Sequence, residues 1–353
     1  MRFSVDGWDP SYGSSMEVEG QLEESRATVD ADVEVPAARW RPVDPGGTDP
    51  LPDALLFVDG VRRIEARVWI DGDPGPESGG PEGGGPGDAT VALCASYAAG
   101  VVCCCKAGSH LVVGELRRGL FSVDPHARDI STRAGDYRVS TVSNRRAEVP
   151  VMAALTAKLQ ERLAEVEKIA AAKARGPAGT GSARLPGDHP RDSEHDLLVI
   201  DGPLRGRENL PRALGYIKSH HKTYLPPELN ALVGALGVSQ RTPVFHMTNI
   251  SRRGTAWERR SWYLRLPCPP GAPWAGVVRI ECAADLPMPE VTRLAGLSQR
   301  CLARFASTEY KDSRAPQNLY PIAGLERELR RRLGDPQLLY RALREAARRP
   351  PRR

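Results

Sequence analysis

The sequence predicts a mixed α/β protein, and three observations carry that expectation. Short apolar runs with strand character come early, a long amphipathic segment follows, and another apolar run returns before mixed elements close the chain. Strands, helix and returning strand is the order expected around one mixed sheet. The composition allows it. Of 353 residues 41% are apolar, enough for a core, and only 6% are aromatic, low for a pure β-sandwich.

Residues 1–50 are acidic, polar and broken by Pro and Gly, with room for a short helix near Ser14–Arg26. They read as an N-terminal arm, partly disordered. Ala54–Asp59 (ALLFVD) is a short apolar run closed by an acid and Gly60, a buried strand by length and flanks. Arg62–Asp71 alternates apolar with charged residues, as a half-exposed second strand does. Gly72–Gly87 holds Gly, Pro and acids and reads as a flexible hairpin tip. Thr90–Lys106 is rich in small and β-branched residues, a third strand, and Leu111–Val123 a fourth. Arg145–Lys173 has the strongest helical period in the chain, with Glu, Lys and Arg on its polar face. Ala174–Asp196 is a Gly/Pro/Ser/His segment too polar to pack. Leu197–Asp201 (LLVID) repeats the apolar-run-then-acid layout, followed by Gly202-Pro203-Leu204. Helices are expected at Asn209–Ser219 and Pro226–Ala235. Strands are expected near Pro243–Met247, Arg260–Leu266 and Val277–Ala283. Helices at Met288–Ser307, Asn318–Arg332 and Pro336–Arg348 finish the chain. The expected organisation is an arm at 1–50, one main domain at 51–345 with flexible insertions at 72–89 and 174–196, and a basic tail at 346–353.

The composition excludes several classes. No run of about 18 apolar residues occurs, so no membrane-spanning helix is expected. The start of the chain lacks the basic and apolar regions of a signal peptide. Seven cysteines, three of them contiguous (Cys103, Cys104, Cys105), include no C-x-x-C pair. A reduced, cytoplasmic protein is the expectation. The net charge of +5 hides an asymmetry: residues 1–58 carry 12 acids against 4 bases, and residues 324–353 carry 10 Arg against 4 acids. That basic end suits either a DNA backbone or a solvated helix face.

The two strands closed by Asp-Gly hold the first candidate site. Carboxylates at the ends of buried strands, Asp59 and Asp201, are rigid and face the edge of a sheet, where they can bind a divalent cation. A glycine after each lets a phosphate approach, and a metal so held can activate water against a phosphodiester. Asp-Gly is also ordinary turn chemistry. Glu148, at the start of the long helix, is the candidate third acid, although a Glu there also suits the helix dipole. In Gly215–Leu225 (GYIKSHHKTYL), Lys218 or Lys222 can meet phosphates, while His220 and His221 suit a metal less well because neighbours point apart. On the strand near 260–266, Trp262, Leu264 and Leu266 share one face. Tyr263 and Arg265 share the other, where they can stack on a base and pair with a phosphate. Glu281, within RIECA, is a further candidate ligand.

These motifs in this order resemble the NurA nuclease family: FVDG at 57–60, a long helix with an early Glu, and LLVIDGPL at 197–204. They continue with YIKSHHKTYL at 216–225, WYLRL at 262–266 and DSRAPQNLYPIAGLE at 312–326, spanning most of 54–345. The resemblance implies an RNase H-like core, a mixed central sheet flanked by helices whose strand acids bind Mn²⁺ or Mg²⁺. It also implies a homodimer that docks on a HerA-type hexameric ATPase, a DNA translocase, and serves DNA end processing, repair or anti-phage defence. By motif, Asp59 matches the first-strand metal acid, Asp201 the acid of the DG strand and Glu148 the helix acid. Lys218 matches the basic residue that follows, and Tyr263 a family tyrosine. One departure stands out. The family places a His near its C-terminal helix, whereas NLYPIAGLE has none and no His follows His246. The expected function is a metal-dependent DNA nuclease, with Asp59, Glu148 and Asp201 as ligands, Lys218 on the phosphate, and Lys222, Tyr263 and Arg265 on DNA. The alternatives are an inactive DNA-binding or ATPase-docking subunit on the same fold, or an unrelated phosphate-ester hydrolase.

Overall fold

The structure, a computed structural model, describes residues 23–25, 27–70, 89–143, 148–175, 195–220, 222–250, 256–269 and 271–348. Most of the two predicted insertions, the end of the basic tail and His221 lie outside the described residues, as does the expected short helix up to residue 22. In chain order the elements are β1 (Glu23–Glu24), β2 (Thr28–Asp30), β3 (Ala54–Ile70), β4 (Thr90–Cys105), β5 (Gly108–Ser122), β6 (Ile130–Thr132) and β7 (Gly135–Thr141). Then follow α1 (Val151–Arg175), β8 (Asp196–Asp201), β9 (Ala213–Ile217), β10 (Lys222–Thr223), α2 (Pro227–Ala235), β11 (Phe245–Ile250), β12 (Ala256–Arg265) and β13 (Val277–Ala283). Helices α3 (Met288–Leu302), α4 (Tyr320–Arg332) and α5 (Pro336–Ala347) complete it. The fold is mixed α/β, a large mixed sheet flanked by helices, as the sequence predicts.

The chain divides into two compact units. The first comprises residues 1–58, 102–112 and 174–324, and the second residues 59–101, 113–173 and 325–353. In the first unit the strand order is β2-β11-β12-β13-β9-β8-β3. Pairing is antiparallel from β2 to β9 and parallel for β9-β8 and β8-β3. Both faces of this sheet are covered. On one, Trp262 of β12 is fully buried and its Nε1 donates to Ser298 Oγ of α3 at 3.0 Å. On the other, Phe245, Met247, Tyr263 and Val277 pack with Val233 and Leu236, at and after the end of α2.

The expected helix at 209–219 is instead strand β9. Its residues 213–216 are buried between β8 and β13, and it hydrogen-bonds to both. Within the expected N-terminal arm, the described residues 27–50 pack on the sheet. Strand β2 pairs with β11, Trp40 packs on Phe245, and Val43 bridges Arg241. Glu34 anchors this segment: its two carboxylate oxygens accept from Arg241 Nη1 and Nη2 at 2.8 Å each, and Oε2 also accepts from Val244 N. Burial favours the neutral acid, but Arg241 and the Val244 amide outweigh it and hold Glu34 below its ordinary 4.5. A carboxyl whose folded pKa is lowered contributes stability that is present above pH 4.5 and lost as pH falls through the folded value. Acid titration of stability is therefore expected to be shallower in Glu34→Gln than in wild type below pH 4.5, read from urea midpoints at stepped pH.

In the second unit the strand order is β3-β4-β5-β7-β6. Ala92, Cys94, Leu120 and Tyr137 pack with Leu343 of α5. Helix α1 buries Leu155, Leu159, Leu163 and Val166, its apolar stripe at helical spacing. The two strands expected at 54–59 and 62–71 are one continuous strand, β3. A Cβ on Gly60 would lie 2.6 Å from Glu167 Oε1 and 2.8 Å from Leu163 Cδ1. Gly60 thus admits α1 rather than ending a strand.

Candidate active site

Strand-end geometry in the first unit positions the site. Strands β8 and β9 run parallel to the first residues of β3, so the carboxyl ends of β8 and β9 lie along one edge, the usual ligand edge of such sheets, while β3 continues to Ile70. Val58 and Ile200 are register partners, and Asp59 and Asp201 are the residues that immediately follow them. Asp201 ends β8. The next residue, Gly202, has φ +104°, a left-handed conformation that glycine tolerates, and a Cβ there would meet nothing within 4 Å. The two Asp-Gly pairs therefore differ: the one at 201 turns the chain and leaves open space, and the one at 59 lies inside a strand.

Lys218 follows β9 and points back at β8. Its ammonium donates to Asp201 Oδ2 at 2.6 Å and to Asn318 Oδ1 at 3.0 Å. Asn318 is fully buried, and its Nδ2 donates to Asp312 Oδ2 at 2.9 Å. That second bond fixes the amide so that its oxygen faces the lysine. Tyr216 OH donates to Gln317 O at 2.6 Å, tying the same 312–318 segment to β9. Burial first, and the charge of Asp201 second, push the Tyr216 phenol well above its ordinary value, so it stays a neutral donor. Side chains of Asp201 and Lys218 keep 11% and 14% of their exposure, enough for a ligand to touch them. Asn318 and Asp312 belong to the DSRAPQN motif, yet sequence reading did not select them. They have no periodicity, and only the folded chain brings them to Lys218.

The remaining candidates differ in burial and partners. Asp59 is buried and its Oδ1 accepts from Gly60 N at 2.7 Å, which orients the carboxylate. Glu148 does not open the helix: α1 begins at Val151, and Glu148 is exposed in the preceding turn. Lys222 is exposed on β10. Tyr263 is corrected from an open face to the interior, fully buried and stacked on Phe245 with centroids 5.8 Å apart, because α2 covers that face. Arg265 is turned inward as well. It donates to the carbonyls of Ala275 at 2.6 Å, Gly234 at 2.9 Å and Pro273. His220 is a core residue against Trp274 and Tyr263, with its Nε2 at 3.0 Å from Val277 O. Glu281 is committed to structure, since Leu204 N donates to its Oε1 at 2.7 Å and Arg279 to its Oε2 at 3.0 Å. The second unit holds a carboxylate that sequence reading passed over, Glu326 of α4. It is buried, and Arg330 lies 3.7 Å away.

The fold and site define a mixed α/β protein with a carboxylate–lysine pair at the carboxyl edge of its parallel strands. No family model matches the chain, and no curated protein does. Among solved structures it is remotely similar to the crystal structure of the NurA nuclease from Sulfolobus solfataricus. The TM-score is 0.41 at 10% identity, covering 88% of this chain and 89% of that one.

Proposed function

We propose that the chain is a divalent-metal-dependent nuclease that hydrolyses phosphodiesters in DNA. The observation that carries this reading is the pairing of β3 with β8, which runs in parallel to Val58 and Ile200 with an aspartate next on each strand, together with Lys218 held on the second aspartate. Asp59 and Asp201 are proposed as ligands of Mn²⁺ or Mg²⁺. The donor chemistry fits: these ions take carboxylate oxygens, and the Lys218 bond uses one of the two oxygens of Asp201. A bound cation supplies Lewis acidity to the phosphoryl group and lowers the pKa of water. Lys218, steadied by Asn318, supplies a fixed positive charge for a non-bridging phosphate oxygen. Glu148 was expected as the third acid. It is exposed in the turn before α1, so its part as a third ligand rests on the family resemblance.

The remaining parts of the proposal are a homodimer, Lys222 on the DNA backbone, and a HerA-type hexameric ATPase as partner in end processing or defence. Among the described residues no helix is long and apolar enough to cross a membrane. The test is cleavage of single- and double-stranded DNA ends with Mn²⁺ or Mg²⁺. Activity that disappears with chelator and returns with metal is expected, and cleavage that persists without metal would overturn the reading. The absence of any His after His246 favours a second reading, a DNA-binding or ATPase-docking subunit without activity. Salt-sensitive DNA binding without cleavage under any metal would select it.

A further inference from the structure

The hairpin of β4 and β5 carries three soft donors that the nuclease reading leaves unused. Cys103 and Cys105 are two apart on one strand and so share a face. Cys104 faces the other way, where its Sγ lies 3.3 Å from Ser109 Oγ of the returning strand. His110, one residue on from Ser109, consequently returns to the face of Cys103 and Cys105. One donor atom from each of these three residues lies within 4.8 Å of the others. Cys103 is buried, while Cys105 and His110 are half-buried beside the hairpin tip, which leaves an entry path from solvent.

We propose that Cys103, Cys105 and His110 bind a thiophilic transition-metal ion, Zn²⁺, with a fourth position open to water. Bond lengths of about 2.3 Å to sulfur and 2.0–2.1 Å to nitrogen place tetrahedral donors roughly 3.5–3.8 Å apart. Side-chain rotation of about an ångström closes the cluster from its present spread. Thiolate and imidazole are the donors zinc selects, and Mg²⁺ and Mn²⁺ avoid such a set. A disulfide suits the pair less well: residues two apart on an extended strand have Cα atoms about 6.6 Å apart, near the far limit for a bridge. Zinc takes thiolates, so uptake releases the thiol protons. Sequence reading looked for C-x-x-C and missed the site because its third donor arrives across the hairpin.

The site shares no residue with the nuclease assignment, so each can fail without the other. The test uses the full chain, reduced and freed of metal by chelation. Co²⁺ is titrated as a spectroscopic probe, and bound Zn²⁺ is counted by elemental analysis. The expected result is one equivalent of Co²⁺ with a thiolate-to-cobalt charge-transfer band that Zn²⁺ abolishes. That band is expected to be lost in Cys105→Ser and His110→Ala and retained in Cys104→Ser and Asp201→Asn. Absence of the band in wild type would overturn the proposal, as would its loss in Cys104→Ser or Asp201→Asn. A readout on the unmodified chain guards against variants that do not fold: Zn²⁺ is expected to slow alkylation of Cys105, mapped by mass spectrometry, and an unchanged rate would also overturn the proposal.

Discussion

Asp201→Asn is expected to lower DNA cleavage by on the order of 10²–10³-fold in kcat, the scale for losing one preorganised electrostatic group at a transition state. Folding should be retained, because the amide keeps the shape of the carboxylate at the end of β8. Lys218→Met is expected to cost a similar factor. The two side chains touch, with Nζ 2.6 Å from Oδ2, so their effects belong to one unit and will not add. The double variant should therefore lose little more than either single one. Rates for all four proteins, measured with saturating Mn²⁺ on one end-labelled duplex, check this. Multiplying losses would mean that the lysine and the aspartate act separately, and an undiminished rate in Asp201→Asn would remove the site assignment. Asn318→Ala probes positioning: the ammonium loses its second acceptor, and the expected loss is smaller, about 10–100-fold by analogy with outer-shell partners of metal ligands. Because Asn318 touches Lys218 and not the phosphate, a change in the optimum pH or in KM for short substrates should accompany it.

How much of this was legible in the sequence depends on what each segment packs against. Strand β13 was expected at Val277–Ala283 and is found there, because a short run rich in β-branched residues, opened after Gly276 and closed before Asp285-Leu286-Pro287, permits little else. Helices α4 and α5 likewise show their apolar stripes openly. Strand β9 was misread as a helix for a specific reason. Leu210, Ala213, Leu214 and Ile217 fall at helical spacing by coincidence. A strand covered on both faces has no alternation to contradict them. The same double covering hid Tyr263: an amphipathic pattern on β12 suggested an open face, while α2, distant in sequence, closes it. Asp201 and Lys218 were visible because strand-end acids and lysines carry chemistry wherever they stand. Asp312 and Asn318 were not, since their role exists only through the bonds that bring them to Lys218. Residues 1–50 were read from composition as an arm, yet over 27–50 strand β2, Trp40 and the Glu34–Arg241 pair hold an acidic segment on the sheet.

Glu281→Ala should be the most destabilising of the substitutions considered, at about 3–5 kcal/mol, the scale for removing one partner of a buried ion pair. Glu281 is 3% exposed and faces two arginines that are each 6% exposed. Arg279 Nη1 lies 3.0 Å from its Oε2, and Arg259 Nε lies 3.6 Å from its Oε1. Burial disfavours charge on Arg279, but the charge of Glu281 outweighs it and raises the guanidinium above its ordinary value. Arg259 pairs further with Glu208, so the charge the loss leaves without an anion is that of Arg279, which sits over the Tyr224 ring at 4.8 Å. The cost arises because the buried charges lose their common anion and Leu204 N loses its acceptor. Leu204 belongs to the turn that follows Asp201, so the same carboxylate that neutralises the arginines also secures the DGPL turn. A urea midpoint that falls with an unchanged slope is the expected signature. Replacement by Gln separates the two roles. The amide oxygen can still accept from Leu204 N, while the charge is gone, so Glu281→Gln should lose stability yet keep more activity per folded molecule than Glu281→Ala. Equal activity losses in both would place Glu281 in the chemistry itself, as sequence reading first allowed. A loss below about 1 kcal/mol in Glu281→Ala would mean that the arginines find other anions.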